Sequence, residues 1–324
     1  MSTVIDVAKE ANVAPMTVSR VVNSPEKVKP ETRKKVLVAM EKLHYTPNTA
    51  AKNLVTKRTG VVDIYIPADI DLSNPFTMHF IAGISKALSE RMYSFLILRD
   101  MKAHHPCDGY IATGLLRDET VRFAQYAQNS EKPLVIFGHT QIEDVDCIDV
   151  DNIQGAYLGV KRLIKAGHRV IAMVNVDEDK DYPLDRLAGY KKALEEAGLS
   201  FRDTLVTSCT NNPLGGEEAA SRLLGREESL TAVFCATDTI GIGLIRQLER
   251  MGKKVPLDIS IVGFDGLGHH LLSTPRITTV QQPIYEIGRM LATALLERIE
   301  GRTQQIEKLI LPVLIEEESV AERK

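Results

Sequence analysis

Two different hydrophobic rhythms divide the chain. At the amino end apolar residues recur at helical spacing. Val4, Val7, Ala8 and Ala11 share one face and predict a helix from Val4 to Glu10. Asn12-Val13-Ala14 reads as a turn. A second helix from Pro15 to about Val22 turns Val18, Val21 and Val22 inward, and Pro15 suits a first helical position, where its missing N–H costs nothing. A third begins near Pro30, buries Val36, Leu37, Met40 and Leu43, and stops at Tyr45-Thr46-Pro47. Asn48 can cap a short helix to Leu54, although so short a helix does not hold alone in water and forms only when something packs against it. Two short apolar-faced helices joined by a tight turn make a helix-turn-helix, a unit suited to laying a helix in the DNA major groove.

From Gly60 onward, buried apolar runs alternate with amphipathic stretches. Strands are predicted at Val61–Ile66, Tyr93–Leu98, Gly109–Ala112, Leu134–Phe137 and Val145–Val150, with helices at Phe76–Arg91 and Val121–Gln128. A second series follows, with strands at Val170–Val174, Thr204–Val206, Ala232–Cys235 and Ile259–Phe264 between helices at 153–166, 184–197, 214–224, 239–251 and 284–300. Strand–helix alternation predicts parallel sheets covered on both faces. Two series predict two doubly wound subdomains with a cleft near their strand carboxyl ends. The fold class expected is therefore α/β with a helix-turn-helix head. Only ten residues separate Leu98 from Gly109, fewer than a parallel crossover commonly needs, so an extended loop and one thinly covered sheet face are expected there.

Composition adds limits. The chain has 324 residues, room for two or three domains. Its 44% hydrophobic and 26% charged residues are ordinary for a soluble protein. It has no apolar run long enough for a membrane span and no leader-like start, so a cytoplasmic protein is expected. Cys107, Cys147, Cys209 and Cys235 are scattered and read as buried free thiols. His104, His105 and Cys107 match no standard metal spacing. The net charge of −3 hides an asymmetry: residues 1–60 carry eleven Lys or Arg against five Asp or Glu, +6, which leaves −9 on the rest. A basic head on an acidic body is an electrostatic footprint for a polyanion. Gly241-Ile242-Gly243 lacks the third glycine of a dinucleotide fingerprint, and there is no nucleophile elbow or zinc-ligand cluster. No catalytic residue, cofactor or metal is expected.

The head residues Ile5-Asp6-Val7-Ala8, Thr17-Val18-Ser19-Arg20-Val21-Val22-Asn23 and Tyr45-Thr46-Pro47-Asn48, with Ala51 and Leu54, resemble the lactose/galactose-repressor family of bacterial transcription factors. Asn74-Pro75-Phe76, Asp151-Asn152, Gly167-His168, Arg186-Leu187-Ala188-Gly189-Tyr190, Ala236-Thr237-Asp238, Ile261-Val262-Gly263-Phe264-Asp265 and Thr278 to Pro283 extend the resemblance along the chain. It implies a DNA-binding head (1–46), a hinge helix and linker (47–59) and a periplasmic-binding-protein-like core (60–324). The expected division of the core is 60–150 with 280–282 against 151–279 with 283–324. Dimers on palindromic operator DNA, controlled by a small ligand, are implied. So is an alternative in which a phosphorylated phosphocarrier protein is the main control.

On this resemblance Thr3, Pro15, Met16, Thr17, Ser19, Arg20, Asn23, Tyr45, Asn48, Ala51 and Leu54 face DNA. Arg20 can bond guanine O6 and N7 together, and the short hydroxyls of Thr17 and Ser19 suit phosphates. Two departures stand out: Ala14 replaces a capping serine, and Pro15 and Met16 are apolar where base-reading polar residues are common. Thymine methyls or groove filling are expected there. Leu54 is the expected wedge between central base pairs, with Ala50 and Ala51 small enough for close approach. The cleft residues implied are Asp69, Phe76, Thr77, Arg186, Asn211, Thr237 and Asp265. Asp151 and Asn152 are expected to cap the following helix. A guanidinium facing a carboxylate suits a polyhydroxylated ligand, and a cleft arginine also admits sugar acids and sugar phosphates. With no Trp in the chain, stacking falls to Phe76 or Tyr182.

Overall fold

The computed structural model describes residues 2–23, 27–45, 58–101, 105–225 and 229–323, and divides into two compact units, 1–60 and 61–324. The hinge positions Asn48, Ala51 and Leu54 lie outside the described residues, as does His104.

The first unit holds α1 (Val4–Glu10), α2 (Pro15–Asn23) and α3 (Pro30–Lys42). Val7, Ala8, Ala11, Val18, Val21, Val36 and Ala39 are buried together. Thr3 caps α1, accepting from the Asp6 backbone N–H, while Asp6 reaches back to the Thr3 N–H at 2.8 Å. This reciprocal arrangement satisfies two otherwise orphan donors. One expectation is corrected here: Leu37 is exposed and Ala39 takes the inward position, because the buried stripe of α3 steps from 36 to 39 and on to the half-buried Met40 and Leu43.

The second unit contains two six-stranded sheets. The first is built from β1 (Val61–Tyr65), β2 (Ser94–Leu98), β3 (Tyr110–Ala112), β4 (Leu134–Phe137), β5 (Asp146–Val150) and β11 (Glu307–Ile310), in the order β11-β5-β4-β3-β1-β2. The second has β6 (Ile171–Val176), β7 (Val206–Cys209), β8 (Ala232–Cys235), β9 (Ser260–Asp265), β10 (Thr278–Gln281) and β12 (Val313–Ile315), in the order β12-β10-β9-β8-β6-β7. The second sheet thus repeats the order of the first. All ladders are parallel except β10–β12. The helices are α4 (Pro75–Glu90), α5 (Arg117–Asn129), α6 (Asn152–Lys165), α7 (Asp181–Glu196), α8 (Pro213–Leu224), α9 (Asp238–Arg250) and α10 (Ile284–Ile299). Among the described residues no helix is long and apolar enough to cross a membrane. The four cysteines are buried and free, and burial raises the thiols of Cys107 and Cys209 to about 11 and that of Cys147 to about 12.

The expected division of the core is corrected. Strand β10 pairs with β9 in the second sheet, whereas α10 packs on α4 and β11 pairs with β5 in the first. The chain returns to the second sheet at β12. Residues 278–281 therefore belong to the second subdomain and 284–310 to the first. The cause is the apolar stripe of α10, Ile284, Ile287, Leu291 and Leu295, which is buried in the first subdomain. Strand β7 also starts later than expected, because Asp203–Leu205 forms a 3₁₀ turn before it.

The short β2–β3 link leaves the expected signature. Leu96, on edge strand β2, is 42% exposed. Its register partner Asp63 is buried with neither carboxylate oxygen hydrogen-bonded. His105 Nδ1 lies 3.6 Å from Asp63, and burial raises the Asp63 carboxyl above its ordinary range.

Helices α8 and α9 approach closely through glycines. A Cβ on Gly243 would overlap the Pro213 carbonyl, and one on Gly216 would overlap the Ile240 carbonyl. Gly243→Ala must push the backbones apart and should destabilise the core by about 1–3 kcal/mol. Urea denaturation would show a lower midpoint at unchanged slope.

Candidate functional site

In the head, burial of Val18 and Val21 turns the opposite face of α2 outward. Pro15, Met16 and Arg20 are exposed, with Met16 at 64%. Thr17 and Ser19 are half-buried at its edges. The Ala14 carbonyl accepts from the N–H groups of Thr17 and Val18, so α2 starts without the side-chain cap that a serine would supply. Two residues expected at the DNA have local work as well: the Thr3 hydroxyl serves the α1 cap, and Tyr45 is half-buried against the head core. Asn23 closes α2.

In the core, the carboxyl ends of the two sheets face each other and side chains bridge them. Arg117, at the start of α5, donates through Nε to Asp179 in the β6–α7 loop at 2.8 Å, and its N–H reaches the Asp179 carbonyl. His139, two residues beyond β4, lies between carboxylates of both halves. Its Nδ1 is 3.7 Å from Asp149 of β5 and 3.9 Å from Asp185 of α7, and its Nε2 is 3.9 Å from Asp181. These acids raise the imidazole to about 9, so it carries a positive charge at neutral pH.

Arg186 and Asp265 are brought together as expected, at 3.7 Å. The guanidinium is buried deeper than an open ligand fork would be. Its Nε donates to Asn152 at 2.9 Å, Nη1 donates to the Ala236 carbonyl, and the group lies 3.6 Å from the Phe264 ring centre and 4.7 Å from that of Tyr182. Asp151 caps α6 through the Gln154 N–H. Asn152 is not a cap: it orients Arg186, a correction explained by its position one residue inside the helix. Gln282 donates to Asp265 at 2.7 Å. Burial raises the Asp265 carboxyl to about 6, against the pull of Arg186, and burial together with Asp265 raises that of Asp238.

Thr237 caps α9 and donates to Asn211 at 2.8 Å, which places both at the carboxyl ends of β8 and β7. Phe76 stacks on Phe80 and meets Phe137 edge-on at 5.3 Å. Thr77 is buried with its hydroxyl unpartnered. Asp69 lies exposed in the turn after β1, where its charge acts on Tyr65 together with those of Asp100 and Glu119. His139, Asp149, Asp181 and Asp185 are not among the cleft residues that the resemblance implies. The rule that ligands collect beyond strand carboxyl ends singles out His139 and Asp149 once β4 and β5 are placed.

Compared with known proteins, residues 3–48 match the model for bacterial regulatory proteins of the lacI family, and residues 160–320 match that for a periplasmic binding protein-like domain. The chain is 37% identical to the uncharacterized HTH-type transcriptional regulator YvdE of Bacillus subtilis (strain 168), over 98% of this chain and 99% of that one. The chain belongs to the lacI family. It is also 35% identical to the HTH-type transcriptional regulator CelR of Thermobifida fusca, over 94% of each. A solved CelR–cellobiose complex superposes with a TM-score of 0.75 at 32% identity, covering 98% of this chain and all of that one. This lacI-family chain is a DNA-binding transcription regulator, with the helix-turn-helix head and the two parallel-sheet subdomains that its sequence led one to expect.

Proposed function

We propose that the protein is a homodimeric repressor of carbohydrate-utilisation genes, whose grip on a palindromic operator is set by a small sugar-like effector in the cleft between the two sheets. The observation that carries this reading is the set of side chains from both halves that converge there: His139 and Asp149 from one, Asp181, Asp185, Arg186 and Asp265 from the other. A ligand held by both walls biases their relative angle, which is what an allosteric coupling requires. Couplings of this kind are typically about 1–3 kcal/mol. The CelR–cellobiose complex supports a sugar as the ligand.

In the head, Arg20 is assigned to guanine and Met16 with Pro15 to thymine methyls, while Thr17 and Ser19 position the helix on the backbone. Leu54 is assigned to the wedge. Operator fragments selected from random duplexes test this reading. Arg20→Ala should remove about 1–3 kcal/mol of discrimination at one base pair, read by fluorescence anisotropy on single-base operator variants. Uniform weakening across all positions would demote Arg20 to a phosphate contact. Titration with sugars and with a phosphorylated phosphocarrier protein decides which of the two moves operator affinity.

A further inference from the structure

Resting on the reading that the cleft holds a sugar-like effector, we infer that this effector carries no negative charge and that His139 is the residue that enforces the restriction. The walls of the cleft are rich in acid. Asp149 comes from β5, Asp181 and Asp185 from the first turns of α7, Asp265 from the end of β9, and Asp238 from the start of α9 behind it. Arg117 and Lys180 at the edge are each paired with an acid of their own, Asp179 and Glu178, which leaves the cations of Arg186 and His139 to face the acids of the walls. Arg186 is already committed to Asn152, the Ala236 carbonyl and Asp265. The His139 imidazolium answers three of the other four carboxylates, Asp149 from its own half and Asp181 and Asp185 from the other, while Asp238 accepts from the Gly266 N–H and the Thr279 hydroxyl. Burial already pushes Asp149, Asp185, Asp238 and Asp265 above their ordinary range, so a carboxylate or phosphate brought between these walls meets acids that already resist ionising beside one another and enters only by driving protons onto them.

A hydroxylated neutral molecule meets complementary chemistry. Its O–H groups donate to the carboxylates and its oxygens accept from the imidazolium. Two further buried hydroxyls at the same ends of the first sheet, those of Thr77 and Thr113, have no partner. Phe76, Phe137 and Tyr182 supply apolar ring surface for the C–H faces of a pyranose. An ammonium-bearing sugar fits the same charge balance.

Isothermal titration calorimetry on the full chain tests this with matched probes: glucose and glucosamine against glucuronate and glucose 6-phosphate, and maltose and cellobiose against maltose 6′-phosphate. The uncharged or amino sugar should bind at least tenfold more tightly than its anion. An anion that binds as tightly as its neutral partner overturns the inference and leaves the sugar reading standing. Failure of every sugar, anionic or not, overturns both. His139→Gln, which keeps a hydrogen-bonding end without the charge, should weaken the best neutral sugar at least tenfold, and His139→Lys should recover most of that loss. Thermal melts without sugar identify any folding defect. Affinity of the Gln variant within twofold of the parent removes His139 from the proposal.

Discussion

Asp146→Ala is expected to cost the core about 3–5 kcal/mol, the loss seen when one partner of a buried ion pair is removed. Asp146 opens β5 and is fully buried. It accepts from Arg298 Nη2 at 2.9 Å, from Arg302, and from the Ile306 backbone N–H at 2.8 Å. One carboxylate thereby fastens the end of α10 and the approach to β11 onto a strand some 150 residues earlier. Removing it takes from two guanidinium groups the carboxylate they share and leaves a backbone donor without its acceptor. Burial alone would raise this carboxyl, but the hydrogen bonds from Arg298, Arg302 and Ile306 more than reverse that and hold it below its ordinary value of 3.8. The sign follows. A carboxyl lowered in the folded state contributes its full stability above the unfolded value and loses it as the pH falls through the folded one. The gap between parent and variant in guanidinium denaturation should be constant between about pH 5 and 8 and close in stronger acid. A loss under about 1 kcal/mol would place this network with ordinary solvent-screened surface pairs.

The sequence made most of the framework legible because the framework is local. Helical spacing located α1 and α2, and buried runs located β1, β3, β4, β8 and β9, since each element needs only its own pattern to declare which face is covered. What escaped was long-range. Nothing in Thr278-Thr279-Val280 says which sheet it joins; that is settled by its ladder to Val262–Phe264. The exposed and half-buried residues of β11 and β12 carry no buried run to mark them as strands.

The site divides in the same way. Arg186 and Asp265 were found through family motifs, and the structure joins them. His139 sits in Phe137-Gly138-His139-Thr140, an unremarkable loop in sequence. It becomes chemistry only when α7 brings Asp181 and Asp185 to it from the other half of the core. Asn152 reads as a cap in sequence because its role depends on a guanidinium 34 positions away.

Arg186→Met should deprive the protein of its effector response while leaving it folded. The two effects separate because the neighbouring acids can neutralise themselves. Methionine keeps an apolar contact with the Phe264 ring on which the guanidinium lies. The lost cation leaves Asp265, whose carboxyl burial has already raised to about 6. Protonating such a group at pH 7 takes about 1.4 kcal/mol, one pKa unit; the Asn152 amide oxygen and the Ala236 carbonyl lose their donor as well, at about 1–3 kcal/mol each.

A ligand has no such escape. Arg186 holds Asn152 and answers Asp265, which a thioether cannot do, and losing that charged group from a buried site costs about 3 kcal/mol, on the order of a hundredfold in affinity. A carboxyl raised in the folded state makes stability fall as the pH rises from the unfolded value, 3.8, through the folded one. Without Arg186 the fall should extend to higher pH than in the parent, so the difference in Tm should be larger at pH 8 than at pH 5. The decisive reading is operator binding by anisotropy with and without sugar. The variant should hold the operator as the parent does and ignore the sugar. If it binds and responds to the sugar like the parent, Arg186 belongs to the core alone and the effector is held elsewhere.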